Sequence, residues 1–186
     1  LYCGNNQLSS LDVSSNALLE RLLCHSNQLT SLYFHDTLNN LESGSNQLTR
    51  FVIPSGSLLI HLNLFNNNLT DLDVTNGLFL ESLEVHYNSI EDLDLSQNAS
   101  LSNLWCHNNN LIELNLTSNY NLTYISTNSN NLSNLNIKNG ANSLITTFNT
   151  TNNPNLVCVE VDNVAYSSVN WTNIDAQTSF SEDCRY

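Results

Sequence analysis

Leucine and its aliphatic equivalents return along this chain at a fixed spacing. With Leu1 as the first position of a phrase, the phrase restarts at Leu22, Leu41, Leu62, Leu83, Leu104 and Ile125, with a degenerate copy near Phe148. The step is 21 residues in most turns, and the turn that starts at Leu22 is two residues shorter. Within each phrase the first and third positions are apolar or small while the second and fourth vary. That alternation is the signature of a strand with one buried face. Further apolar columns follow at position 8 (Leu29, Leu69, Ile90), position 11 (Leu32, Phe51, Leu93), position 13 (Val13, Ile53, Leu95) and near position 19 (Leu59, Leu80, Leu101).

One polar column is as regular as the apolar ones. Position 6 is asparagine in every copy: Asn6, Asn27, Asn46, Asn67, Asn88, Asn109, Asn130 and Asn153. A repeat of this length predicts a solenoid, in which each turn buries its apolar face only against its neighbours. Equivalent strands then stack in parallel at a spacing of ~4.8 Å. The ten or so residues left to return to the next strand suffice for extended segments or a 3₁₀ turn, not for a long helix. A sharp bend after each strand leaves backbone groups facing inward. An asparagine side chain has both donors and an acceptor with which to satisfy them, whereas aspartate cannot donate. The array is expected over 1–157, in seven to eight turns. Residues 158–186 break the pattern and read as a C-terminal cap, because an open solenoid end exposes its hydrophobic cross-section. Val164, Tyr166, Trp171 and Ile174 are the candidate lids.

The phrase Leu-x-Cys-x-x-Asn-x-Leu, followed by Leu-Asp-Val-Ser-x-Asn, resembles the leucine-rich-repeat family, and within it the secreted bacterial proteins of the internalin type. Cys3, Cys24 and Cys106 stand at position 3, where leucine is usual, which is similar to the 21-residue cysteine-ladder repeats of that type; Ser43, Leu64, Val85, Thr127 and Thr150 fill the column elsewhere. The resemblance covers 1–157. It implies a horseshoe-like right-handed superhelix with a concave parallel sheet, a secreted or cell-surface bacterial setting, and a role in binding. The tail from Asn153 to Cys184 is similar to caps of secreted bacterial repeat proteins.

The five cysteines leave one odd. Cys158 and Cys184 bracket the cap and are expected to form a disulfide, worth ~3 kcal/mol for so long a loop and implying an oxidising compartment. Cys3 and Cys24 share a column in adjacent turns and are expected as buried free thiols, with a disulfide or zinc role as the alternative.

Charge narrows the partners. Lys and Arg number 4 against 17 Asp and Glu, a formal net charge of −13. Nucleic acid and anionic membrane both call for cationic surface, so neither is expected, and no apolar run approaches the ~20 residues of a membrane span. The chain opens inside a repeat with no signal segment, which reads as a mature fragment, either monomeric or part of a larger multidomain protein.

Function must occupy the positions that the scaffold leaves free. Positions 2 and 4 of each strand face the concave surface, flanked by position 5 and by the residue before the strand. There Phe65, Trp105, His86, His107, His61, Asn63, Glu84 and Tyr87 gather on consecutive turns, with His25 and Tyr124 further along the same columns. Aromatic and polar groups on a rigid concave face suit a protein loop or a polysaccharide; the competing reading is plain strand-favouring residues on an exposed sheet. His86, His107 and Glu84 have the chemistry of a zinc site, and the ribbon of Asp71, Asp73, Glu91, Asp92, Asp94 and Glu113 that of a calcium site. For both, uncoordinated surface residues are the favoured reading, so no cofactor is expected. No catalytic elbow, phosphate loop or spaced acid pair is visible. The chain is therefore read as a non-enzymatic recognition module, with a structural spacer or adhesin segment as the alternative and a metal-dependent hydrolase the remote one.

Overall fold

A computed structural model describes residues 1–185 as a stack of flattened coils. One edge of every coil is a short strand: Arg21–Leu23, Asn40–Glu42, His61–Asn63, Ser82–Glu84, Asn103–Trp105, Tyr124–Ser126 and Thr147–Asn149. They form a single seven-stranded parallel sheet in chain order, extended by bridges from Tyr2 to Leu23 and from Asn149 to Asn173. The columns of the sequence are the register of this sheet: Leu41 pairs with Leu22 on one side and Leu62 on the other, and Leu104 with Leu83 and Ile125. The fold is a leucine-rich-repeat β-solenoid.

The short turn does not disturb that register. Its two missing residues come out of the loop after Phe34, where His35, Asp36 and Thr37 do what Ser14 to Leu18 do one turn earlier. The tightened loop is held by His35 Nδ1, which lies 2.7 Å from Asp36 and 3.1 Å from the Thr37 hydroxyl.

The return segments are more ordered than extended chain alone. Positions 10–13 also alternate, as in Leu11 and Val13, and they pair in parallel into three smaller sheets. Ser10–Val13 joins Ser31–Phe34, Arg50–Val52 joins Asp71–Asp73, and Glu113–Asn115, Asn134–Asn136, Cys158–Glu160 and Ser179–Ser181 form a row of four. The last two of these carry the second row past residue 157. Between the rows lies one contiguous apolar core, including Leu62, Leu83, Leu93, Leu95 and Leu104. Each such side chain contributes ~1.5–3 kcal/mol on burial.

Two asparagine columns line the coil. In the first, Asn67 Nδ2 donates to the carbonyls of Leu64 in its own turn and Ser43 in the turn before, while its Oδ1 accepts the N–H of Leu48 at 3.0 Å. Asn46, Asn88, Asn109, Asn130 and Asn153 repeat the pattern, as does Asn27 with Cys3 and Leu8. Asn6 reaches only carbonyls of its own turn, Cys3 and Gly4. The second column, Asn76, Asn98, Asn119 and Asn139, serves the opposite bend by donating to carbonyls such as Ile53, Val74, Leu95 and Asn119.

The C-terminal end closes on Trp171, which is buried and stacks on Phe148 at 4.6 Å. Tyr166 stands edge-on to it at 6.4 Å, and Val164, Tyr166 and Ile174 pack against the core. The helix Val164–Asn170 starts at Asn163, whose side chain caps the Tyr166 N–H. A disulfide joins Cys158 to Cys184, as the bracketing of the cap suggested. Asp175 acts as a substitute turn. In the array, position 5 and 6 N–H groups donate to carbonyls of the following turn, as Asn5 and Asn6 do to His25 and Ser26. At the last coil the N–H groups of Asn152 and Asn153 donate to the Asp175 carboxylate instead, at 2.8 and 2.7 Å.

Candidate functional site

Three residues past the sheet row, the chain turns through a left-handed residue in every turn. Asn5, Ser26, Ser45, Asn66, Tyr87, Asn108, Ser129 and Asn152 all have φ between 52° and 59°. Asparagine tolerates this region because its short polar side chain bonds locally; a bulky side chain there is an outlier. Seven of these eight are Asn or Ser, so Tyr87 is placed against the local preference of its backbone.

Tyr87 borders a ridge of stacked rings. Phe65 and His86 stack at 5.2 Å and 13°, and His86 and His107 at 4.5 Å and 17°. The Tyr87 ring stands edge-on to both imidazoles, at 5.5 and 5.6 Å, and remains 55% exposed. The ridge follows from position 4 being filled by a ring in three consecutive turns about one strand spacing apart. At its upstream end Gly44 makes room: a Cβ there would lie 2.3 Å from the Phe65 ring. Glycine is needed here for space and not for its φ. Downstream, Ser126 Oγ lies 3.2 Å from His107 Nδ1 and donates to Asn128 Oδ1 at 2.9 Å. Since the hydroxyl hydrogen goes to Asn128, His107 Nδ1 is the protonated nitrogen and donates to Ser126.

The ridge is uncharged at neutral pH. Burial, reinforced by the neighbouring His107, pushes His86 down to about 4, and its Nδ1 is buried without a hydrogen-bond partner. Burial also lowers His107. Alongside, Asn63 spans the two columns, donating to Glu84 Oε2 at 2.9 Å and accepting the Phe65 N–H at 3.2 Å. Burial and the nearby Glu42 raise the Glu84 carboxyl above its ordinary range. Trp105 and Tyr124 form a second aromatic block, 4.5 Å apart and tilted by 33°.

Two of the sequence-derived candidates stand apart. His61 is exposed and has no stacked ring among the described residues, lining a depression of about 370 Å³ with Asn40, Glu42, Ser82 and Glu84. His25 occupies the ring column, but Gly44 separates it from Phe65; its own ring lies over Gly4, where a Cβ would come within 2.9 Å. Sequence reasoning missed Gly44, Ser126 and Asn128. The signal for Gly44 was there: Gly4 and Gly44 each precede a ring one turn later in the same column.

The metal chemistries meet geometric obstacles. Stacked imidazoles lie face to face and do not converge their lone pairs. In the acidic ribbon, Asp12 and Asp73 each accept both the N–H and the hydroxyl of a residue two positions on, Ser14 and Thr75. Asp94 accepts the Ser96 N–H. These bonds hold the three carboxyls below their ordinary range. Among the described residues no group of three or more His, Cys, Asp or Glu side chains stands where it could hold a metal ion. The column of free cysteines is interrupted: Cys24 and Cys106 are buried, with Ser43, Leu64 and Val85 between them, and Cys3 is half-buried.

No protein-family model matches the sequence, and no curated protein does. Solved structures do. The functional domain of InlJ from Listeria monocytogenes, which includes a cysteine ladder, superposes with a TM-score of 0.67 at 27% identity, over 88% of this chain and 44% of that one. A leucine-rich-repeat protein from Leptospira interrogans superposes with a TM-score of 0.69 at 21% identity, over 95% of this chain and 53% of that one. The chain thus spans about half the length of each.

Proposed function

We propose that the chain is a non-enzymatic recognition module whose concave ridge, centred on Tyr87, His86, His107 and Phe65, binds a segment of a partner protein outside the cell. The observation that carries this reading is Tyr87: a bulky ring held in left-handed backbone where the scaffold elsewhere uses Asn or Ser. An outlier of this kind motivates a functional reading because the fold alone gives no reason for it.

A protein segment fits the ridge better than a polysaccharide does. A sugar ring stacks on a free aromatic face, and here neighbouring rings take both faces of His86 and one face each of Phe65, His107, Trp105 and Tyr124. Beside them stand the Tyr87 phenol and the polar groups of Asn63, Glu84 and Asn128, a mixture suited to peptide groups and side chains. The extracellular setting is supported by the Cys158–Cys184 disulfide and by the likeness to InlJ. No described helix is long and apolar enough to cross a membrane.

Screening the protein against arrays of extracellular proteins and of glycans tests the reading. A protein ligand whose binding is lost in Tyr87→Ala and Phe65→Ala supports it. Binding to glycans alone, or to a protein with both variants behaving as wild type, overturns it.

A further inference from the structure

A second surface lies on the flank of the solenoid, away from the ridge. Two columns just before the strands change character along the array. The first reads Leu18, Thr37, Leu58, Phe79 and then Ser100 and Asn121; the second reads Glu20, Asn39, Ile60, Glu81 and then Ser102 and Thr123. The later turns fill these columns with polar residues and fold alike, so the scaffold does not require the earlier apolar ones. Leu18 is 97% exposed and Phe79 53%. Between them runs a groove of about 600 Å³ whose apolar wall is Leu18, Leu58, Ile60 and Phe79. Contiguous exposed apolar surface with a polar border marks an interaction site in soluble proteins.

From this groove we infer that the flank docks a basic amphipathic helix of a partner protein. Three features select that occupant. The backbone along the groove is already paired: Asn39 N–H donates to Glu20, Leu58 N–H to Asp36, Ile60 N–H to Asn39 and Glu81 N–H to Ile60. An added strand would find no free ladder, whereas a helix brings its own backbone bonds satisfied. Leu18 and Leu58 stand two turns apart and Leu58 and Phe79 one, about 9.6 and 4.8 Å at the strand spacing, close to the roughly 10.5 and 6 Å rises between i and i+7 and between i and i+4 on a helix. The charge is one-sided: Glu20 and Glu81 lie three turns apart along the groove and no Lys or Arg lines it, in a chain of net charge −13. A helix with a leucine stripe flanked by lysines about three helical turns apart complements that pattern.

The probe is a fluorescein-labelled synthetic peptide of about 14 residues, with leucines at i, i+7 and i+11 and lysines beside them, read by anisotropy against the whole chain. Saturable binding is expected. It should weaken about ten-fold or more in Leu18→Ser/Phe79→Ser, and lose most of its salt dependence in Glu20→Gln/Glu81→Gln. Tyr87→Ala should bind it as wild type does, which keeps this surface distinct from the concave ridge. Each variant is checked for unchanged circular dichroism and melting. Four outcomes overturn the inference: no binding, equal binding by the Leu18→Ser/Phe79→Ser variant, equal binding of a peptide with a central proline, or a wild-type dimer that the same substitutions dissociate. The last would assign the face to a second copy of the chain.

Discussion

The Leu48 N–H donates to Asn67 Oδ1 across the boundary between two turns, while Asn67 Nδ2 donates to the carbonyls of Leu64 and Ser43. One buried amide thus serves both sides of a bend, in its own turn and in the one before. Asn67→Asp keeps the acceptor and loses the donors, turning an oxygen toward two carbonyls. With buried polar groups left unsatisfied, a loss of about 3 kcal/mol is expected, read as a lower urea midpoint. Asn68→Asp, on the exposed neighbouring residue, should change it little. Equal midpoints for the two variants would mean that the asparagine column does not stabilise the bend.

Gly44 and Phe65 make a sterically coupled pair. Gly44→Ala places a methyl group 2.3 Å from the Phe65 ring, and overpacking of this kind costs about 1–3 kcal/mol. In a Phe65→Ala background the space is vacant, so the same substitution should be nearly neutral. A double-mutant cycle by urea denaturation should therefore show a coupling energy above the ~0.5 kcal/mol scatter of independent sites. Strict additivity would show that Gly44 does not hold the ridge in place.

The solenoid was legible because one unit is written many times: Leu41 needs no propensity argument when Leu22 and Leu62 hold the same position. For the same reason the first asparagine column stood out. The second was harder to read because its spacing is broken: Asn98 and Asn119 hold the same position, Asn76 lies one place earlier in its turn, and His35, Asp36 and Thr37 replace the motif in the short turn. Column arithmetic also put Phe65, His86 and His107 in one file, but it could not show that their rings lie on one another, which depends on side-chain rotation and on the space above Gly44. Tyr87 was visible as a candidate only for its ring; its left-handed backbone became apparent once the bend geometry was known. Asp175 was out of reach, since it lies outside the repeat and takes the place of a turn that the sequence does not repeat.

The cap offers two independent handles. Removing the disulfide with Cys158→Ser/Cys184→Ser opens a loop of 26 residues, worth about 3.5 kcal/mol on the chain-entropy account. Asp175→Ala instead leaves the N–H groups of Asn152 and Asn153 without their acceptor. Contacts in a solenoid are between neighbouring turns, so both changes should act first on the last coils. Amide hydrogen exchange should quicken at Phe148 and Val159 while Leu62 and Leu83 keep their protection. Uniform acceleration along the whole array would show that the cap and the array unfold as one unit.

The ridge gives the protein a specific acid response. His86 is pushed from 6.5 down to about 4 by burial and by His107, so the folded chain holds a proton there less readily than the unfolded one does. Each proton taken up on acidification then favours unfolding, and the stability lost this way goes between pH 6.5 and about 4. His107, lowered by burial, adds in the same direction. Glu84 opposes them: its carboxyl is raised above 4.5, so the folded chain gains its proton first and is favoured as the pH falls toward that value. Asp12, Asp73 and Asp94 enter only lower, because their depressed values give up stability below 3.8. Urea midpoints at about pH 7 and about pH 5 separate the contributions. His86→Gln keeps a neutral polar side chain and removes the titration, so its midpoint should fall less between the two conditions than that of wild type. Parallel falls would place the acid sensitivity elsewhere in the chain.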